Sequence, residues 1–322
     1  MTEIMEMIYN VGFVPVVTLH DVNKAVCLAN ALERGGIPII EVTYRTEEAS
    51  ECIRAIRKEC PNMLVGAGTV LSVAQAECAR DSGAMFVVSP GYDEAVVEYC
   101  CNNQIPVIPG VSNAGEIQKG VAAGLKVLKL FPAEPIGGLS AIHYLAAPFP
   151  GIKFLPAGGV VMDNLAEYMS DEYVFACAGG LVTRKNLLES EDWEGISALC
   201  RQVIAVSLGF EFAHVGINCE TSENAHACAD RLEELFGFTG EEGKSSIFSA
   251  DKRIEIMKKP FYGINGHIGF FTNSVRRAIY QLTKQGFGVI EESIRYDVDG
   301  QLKSVYLQDS LNGFMLHIVQ KS

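Results

Sequence analysis

The sequence predicts an α/β fold: a (β/α)8, or TIM, barrel over residues 1–206, followed over 207–322 by an α+β domain of paired β-α-β-β-β modules. Three observations predict it. Eight short apolar runs alternate with helical patterns, the polar residues of those runs gather at their C-terminal ends, and a strand–helix pattern occurs twice in the last third.

The eight runs are FVPVVTL (13–19), IPIIEVTY (37–44), MLVGAGTV (63–70), MFVVSP (85–90), IPVIPGV (105–111), LKVLKLF (125–131), IKFLPAGGV (152–160) and YVFACAGG (173–180). They show little polar alternation, as expected of strands buried on both faces. Amphipathic helices are expected between them, for example over Val22–Glu33, Glu47–Lys58 and Ala114–Ala123, with Gly35-Gly36, Gly83 and Gly124 placed for C-terminal caps. A doubly wound open sheet shares this alternation. Glu41, Thr69, Pro90, Lys129 and the glycines of PAGG and AGG all fall at strand C-termini, and a barrel gathers those ends on one face.

After about residue 206 the strands alternate more and a duplication appears. HVGINCETSENAHACADRLEELFGF starts at His214, and HIGFFTNSVRRAIYQLTKQGFG starts at His267, 53 residues later. Each copy reads as strand, helix and further strands, which predicts two modules enclosing a shared cleft.

Bulk properties narrow the class. A formal charge of −13 argues against a nucleic-acid partner, whose phosphates need a basic face. No stretch approaches the ~18 unbroken apolar residues of a membrane span. The acidic N-terminus MTEIMEMIYN is unlike a secretory signal, so a cytoplasmic location is expected. The ten cysteines include no C-x-x-C pair, and Cys27, Cys78 and Cys177, set in apolar stretches, read as buried reduced thiols.

Within LKVLKLFPAE, Lys129 is flanked by Leu128, Leu130, Phe131 and Pro132. Apolar surroundings disfavour an ammonium, and the neutral amine is the form that attacks a ketone carbonyl in Schiff-base catalysis. A strand-end lysine paired with Glu41 is the structural alternative. Glu41, in IIEVTYR, is equally enclosed and suits proton transfer, while Arg45 has the planar fork that binds a carboxylate or phosphate.

EVTYRT (41–46), GAGTVL (66–71), SPG (89–91), PGVSNAGEI (109–117) and LKLFPAEPIGG (128–138) together resemble the signature segments of the KDPG/KHG aldolases, over about residues 5–205. That resemblance implies cleavage of 2-keto-3-deoxy-6-phosphogluconate or 4-hydroxy-2-oxoglutarate to pyruvate or a related 2-keto acid plus an aldehyde. It implies Lys129 as the Schiff-base lysine, Glu41 as general acid/base, Arg45 and Thr69 on the substrate carboxylate, Phe131 over the imine and Pro90 in the pocket wall. It further implies no cofactor for the aldolase and a homotrimer formed through the barrel. Two departures concern the substrate. Ala157 stands where the family commonly has Thr, and Ala178-Gly179-Gly180-Leu181 lacks the family's Ser. The backbone N–H groups of Gly158, Gly159, Gly179 and Gly180 remain as an anion cradle, so selection for phosphate is expected to be weak.

Residues 211–320 resemble the glyoxalase/vicinal-oxygen-chelate proteins through HVGIN, RIEIM, GHIGF and the D-x-x-x-G-F-M-L-H ending. His214 and Glu255 in one copy and His267 and His317 in the other stand at strand positions that a pseudo-twofold turns toward one cleft. Such a set suits Zn²⁺, Ni²⁺, Mn²⁺ or Fe²⁺. The final position, often Glu in that superfamily, is His317. The expectation is an aldolase followed by a metal-binding domain acting on a related metabolite. The alternative keeps the aldolase and makes the second domain a non-catalytic binding or oligomerisation module.

Overall fold

A computed structural model describes residues 2–321. The chain divides between Ser207 and Leu208 into two compact units.

In the first unit, strands β1 (Phe13–Val17), β2 (Ile39–Thr43), β3 (Leu64–Gly68), β4 (Phe86–Val88), β5 (Val107–Ile108), β6 (Gly110–Val111), β7 (Val127–Leu130), β8 (Lys153–Pro156) and β9 (Cys177–Gly179) alternate with helices. The helices are α1 (Glu3–Val11), α2 (Val22–Arg34), α3 (Ala49–Glu59), α4 (Val73–Asp81), α5 (Glu94–Asn102), α6 (Ala114–Ala122), α7 (Gly138–Ala146), α8 (Met162–Ser170), α9 (Lys185–Glu189) and α10 (Trp193–Leu208). All strand pairs of this unit are parallel. One sheet has the order β5-β4-β3-β2-β1-β9 and another β6-β7-β8. Two isolated parallel bridges, Phe154 to Val174 and Ala157 to Ala178, connect the β8 region with that of β9. The expected run 105–111 is split at Pro109, which has no N–H to donate to a neighbouring strand. The Pro109 carbonyl still accepts from the Lys129 N–H at 2.9 Å.

Strand residues such as Val14, Ile40, Val65, Val87 and Leu128 are fully buried, which explains their uninterrupted apolar runs. Side-chain oxygens start the helices: Asp21, Ser72, Asp93 and Asn113 each accept from a backbone N–H of the first turn. Gly36, Gly83 and Gly124 leave α2, α4 and α6 at φ of 88°, 92° and 80°, the left-handed exit that glycine takes without steric cost. Helix faces correct one expectation. Cys177 is buried, but Cys27 and Cys78 are exposed. In α2 the inward stripe is Ala25, Leu28, Ala29 and Leu32, and in α4 it is Ala76 and Ala79, so both thiols fall on the outer side.

The second unit contains β10 (Glu211–Asn218), α11 (Ser222–Phe236), β11 (Glu241–Glu242), β12 (Ser246–Ser249), β13 (Ile254–Met257), β14 (Gly266–Thr272), α12 (Val275–Lys284), β15 (Arg295–Tyr296), β16 (Leu302–Leu311) and β17 (Phe314–Gln320). Its strands form one sheet of order β11-β12-β13-β10-β14-β17-β16-β15. The central pair β10 and β14 is antiparallel, while β13 lies parallel to β10 and β17 parallel to β14. The two copies of the repeat therefore occupy the two halves of the sheet in the same internal order. Beneath the first copy, Ala225 and Ala229 of α11 pack on Ile247 and Ile256.

Candidate active site and candidate metal centre

Lys129 lies on β7 between Gly110 of β6 and Leu155 of β8. Its Nζ is 3.8 Å from Oε1 of Glu41, and the two side chains are 8% and 1% exposed. That separation is an ion pair beyond hydrogen-bond reach. The other carboxylate oxygen, Oε2, is buried and has no hydrogen-bond partner. A buried oxygen without a protein partner is unusual in a native fold, and here it leaves one carboxylate oxygen able to accept from a bound ligand. The Phe131 ring centroid is 5.3 Å from Lys129 Nζ, within the range of a cation–π attraction.

Two glycines make this arrangement possible, and neither stands out in the sequence. A Cβ on Gly68 would stand 2.0 Å from Glu41 Oε1. A Cβ on Gly110 would stand 2.1 Å from the Pro90 carbonyl oxygen, so Pro90 approaches the strand beside Lys129 only because Gly110 has no side chain. Thr69 follows Gly68 at φ 56°, a left-handed conformation that is uncommon for a residue with a Cβ. Arg45, at the end of the β2 segment, is exposed.

Gly158 and Gly159 follow β8 at φ of 87° and 95°. The turn is braced on two sides. The Ala133 and Glu134 N–H groups donate to the Ala157 and Gly158 carbonyls at 2.8 and 3.0 Å, and Asn164 Nδ2 donates to the Gly159 carbonyl at 3.1 Å. Glu134 in turn accepts from the buried Tyr168 hydroxyl. Gly179 ends β9 with open space where a Cβ would be, and Gly180 lies next to it. The nearby Thr183 hydroxyl donates to the Val16 carbonyl at 2.7 Å, so its proton is already committed.

Comparison with known proteins defines the first unit. The family model for KDPG and KHG aldolase matches residues 4–199. The chain belongs to the KDPG and KHG aldolase family. This makes it a lyase of the class I 2-keto acid aldolase type. A 2-dehydro-3-deoxy-phosphogluconate aldolase of Treponema pallidum is 44% identical over 206 residues, 64% of this chain and 98% of that protein. A KHG/KDPG aldolase of Escherichia coli is 39% identical over 191 residues, 59% of this chain and 90% of that protein. Among solved structures, a KDPG aldolase from Legionella pneumophila, with pyruvate captured at low pH as a covalent carbinolamine intermediate, has a TM-score of 0.61 at 31% identity. That match covers 63% of this chain and 98% of the other.

In the second unit, His214, His267 and His317 each present a ring nitrogen within 4.8 Å of the others. His214 Nε2 and His267 Nε2 are 3.0 Å apart. Glu255 Oε2 lies 3.6 Å from the first and 3.3 Å from the second. Ser246 Oγ donates to Glu255 Oε1 at 2.7 Å and orients the carboxylate. Burial lowers the basicity of His317 to a pKa of about 3, with His267 and His214 adding to the effect. Burial, then His267, also lowers His214, against the pull of Glu255. For Glu255, burial raises the pKa, but hydrogen bonds to His267 and Ser246 outweigh it and the net shift is downward. Neutral imidazoles beside an ionised carboxylate are the forms that bind a divalent ion.

Register explains how four side chains from four strands meet. His214 is paired with Gly269, and Gly216 with His267. A Cβ on Gly216 would stand 2.0 Å from His267 Cε1, and one on Gly269 would stand 2.5 Å from His214 Cε1. Each imidazole thus crosses the neighbouring strand over a glycine. Glu255 is the parallel neighbour of Gly216, and His317 is the parallel neighbour of Gly269. The H-x-G triplets 214–216 and 267–269 interlock. The remaining histidines lie elsewhere: His20 is exposed, His143 pairs with Asp171, and exposed His226 pairs with Glu242.

Proposed function

We propose that the first unit cleaves a 2-keto-3-deoxy sugar acid of the phosphogluconate type, or 4-hydroxy-2-oxoglutarate, through a Schiff base on Lys129. The observation that carries this reading is the buried Lys129–Glu41 pair at 3.8 Å, with one carboxylate oxygen unpartnered. In this reading the Lys129 amine adds to the C2 carbonyl to give a carbinolamine, and loss of water gives an iminium. The iminium takes up the electrons of the C3–C4 bond as Glu41 accepts the C4 hydroxyl proton. The aldehyde leaves, an enamine remains, and reprotonation at C3 followed by hydrolysis releases pyruvate or a related 2-keto acid. Arg45 and Thr69 hold the carboxylate, Phe131 covers the imine and Pro90 lines the pocket. Gly158, Gly159, Gly179 and Gly180 offer backbone N–H groups to a distal anion.

The printed names of the relatives support the substrate class. The carbinolamine trapped in the Legionella protein supports the chemistry. Closure of the strands into a (β/α)8 barrel belongs to the same reading. It is supported by the two bridges between the β8 and β9 regions and by Pro109 as the single residue separating β5 from β6. A homotrimer through the barrel is part of it too, and light scattering of the purified protein tests it. Pyruvate release from each of the two substrates, followed with a coupled dehydrogenase, tests the activity. Release from neither overturns the assignment.

For the second unit, the same reading is a glyoxalase-like (vicinal-oxygen-chelate) domain that binds one divalent metal through His214, Glu255, His267 and His317. The donor set fits. Ring nitrogens of the three histidines lie within 4.8 Å of one another, and Glu255 Oε2 is 3.6 and 3.3 Å from Nε2 of His214 and His267, so one ion could be shared by all four side chains. The ion would act as a Lewis acid on an oxygen-bearing metabolite. Metal analysis of the full chain beside His267→Ala and Glu255→Ala tests it. About one equivalent is expected in the parent and much less in each variant. Absence of metal in the parent returns this unit to a binding or oligomerisation role.

A further inference from the structure

The metal site of the second unit has an aromatic wall on one flank, and it runs outward to solvent. The Tyr306 ring stacks flat on His317, with centroids 4.1 Å apart and planes 4° apart. It meets His267 edge-on at 5.4 Å. Beyond it, Tyr262 lies 4.8 Å and Phe261 5.8 Å from the Tyr306 ring, and Phe261 and Tyr262 are 4.5 Å from each other. Tyr306 is buried at 6% exposure, whereas Phe261 is 43% exposed. The three rings form a continuous ladder from the imidazoles to the surface.

The outer rungs are held in place by the strand that carries His214. Asn218 is four residues on along β10, on the same face by strand alternation. Its Oδ1 accepts from the Phe261 N–H at 3.2 Å, and its Nδ2 donates to the Phe261 and Gly263 carbonyls at 3.4 and 2.8 Å. Gly263, at φ 80°, allows the turn, since a Cβ there would stand 2.2 Å from the Gly266 carbonyl oxygen. Three hydrogen bonds to the backbone of Phe261 and Gly263 fix the segment that carries this half-exposed ring, and hydrocarbon kept at a polar site is a mark of ligand contact.

The ladder itself carries no charged side chain. A ligand lying along it therefore meets π faces and edges, and the metal offers positive charge to its oxygens.

We propose that the second unit binds, at its metal, an oxygen ligand with a flat aromatic or conjugated body that packs on Phe261 and Tyr262. This inference rests on the metal reading above. It separates the ligand from the aliphatic keto acids of the first unit, which have no flat apolar body to place on the ladder. Ring–ring contacts of this geometry change affinity by about two- to tenfold each, so a two-ring contact gives measurable discrimination.

The test uses the full chain, stripped with chelator and then loaded with zinc, nickel or manganese, whichever it retains. Two hydroxamates with the same metal-binding group are titrated calorimetrically: benzohydroxamate, with a ring, and acetohydroxamate, without one. The expected result is at least about fivefold tighter binding of benzohydroxamate, lost in Phe261→Ala and in Tyr262→Leu while metal content stays at the parental level. Equal affinities in the metal-loaded parent, or an unchanged preference in both variants, overturn the aromatic assignment and leave the metal reading intact. Failure of the parent to retain any of the three ions removes the metal reading, and this inference with it.

Discussion

Gly68 lies directly against the Glu41 carboxylate: a Cβ at that position would stand 2.0 Å from Oε1 and 2.7 Å from the carboxyl carbon. β2 and β3 pair in register, Thr43 with Gly68, so Glu41 reaches diagonally across the neighbouring strand where that strand has no side chain. The carboxylate is thereby held 3.8 Å from the Lys129 amine without a hydrogen bond to it. A side chain cannot be added at position 68 without moving Glu41.

Gly68→Ala is expected to push Glu41 away from Lys129. Overpacking of this kind costs about 1–3 kcal/mol of stability. Turnover should fall by roughly tenfold or more, because displaced catalytic groups lose rate steeply. Thermal unfolding and steady-state kinetics on one preparation check both. Parental turnover in a folded variant would show that Glu41 tolerates the displacement.

Glu41→Gln keeps the shape of the side chain and removes its capacity to take a proton. A general acid/base contributes about 10²- to 10⁴-fold, so turnover should fall by roughly a hundredfold or more while imine formation with pyruvate slows less. Near-parental turnover would leave Glu41 as the structural partner of a buried lysine.

Substrate choice is expected to be weakly biased toward phosphate. Ala157 has no hydroxyl, Gly179 has no side chain, and the nearby Thr183 hydroxyl is committed to the Val16 carbonyl. The ratio of kcat/KM for phosphorylated over unphosphorylated 2-keto-3-deoxy-gluconate checks this. A ratio within about tenfold is expected, whereas each lost charge-assisted hydrogen bond is worth about 1.5–3 kcal/mol. A strong preference for the phosphorylated compound would show that backbone N–H groups suffice.

In the second unit, Gly216→Ala and Gly269→Ala are expected to lower metal content as strongly as loss of a ligand does, because each added methyl occupies the place of an imidazole contributed by the other copy. Metal analysis with far-UV circular dichroism separates this from unfolding. Full metal retention in both folded variants would mean that the imidazoles can bind from another position.

These glycines also show what could be read in the sequence and what could not. Lys129 and Glu41 are visible because a charged residue in an apolar strand is conspicuous, whatever the register. Their supports, Gly68 and Gly110, are invisible because a glycine's role is fixed by the residue across the strand pair, and only register decides that. The duplicated H-x-G triplets revealed the repeat. Their meaning depends on an antiparallel offset that sets His214 over Gly269 and Gly216 beneath His267. The misplaced Cys27 and Cys78 have a similar origin: an apolar stretch identifies a helix, but small rotations about its axis decide which thiol faces water. Tyr306 gave no signal, since its contact with His317 depends on the register of two neighbouring strands, which shifts between Tyr306 and Ser310.

The most direct test of the central claim, that Lys129 forms the Schiff base, is mass spectrometry of the protein after incubation with pyruvate and borohydride. Reduction of the imine should add one stable 1-carboxyethyl group per chain, as a secondary amine, mapped to the peptide containing Lys129 and absent from Lys129→Met. Labelling of a different lysine, or no labelling in a preparation that turns over substrate, would contradict the account.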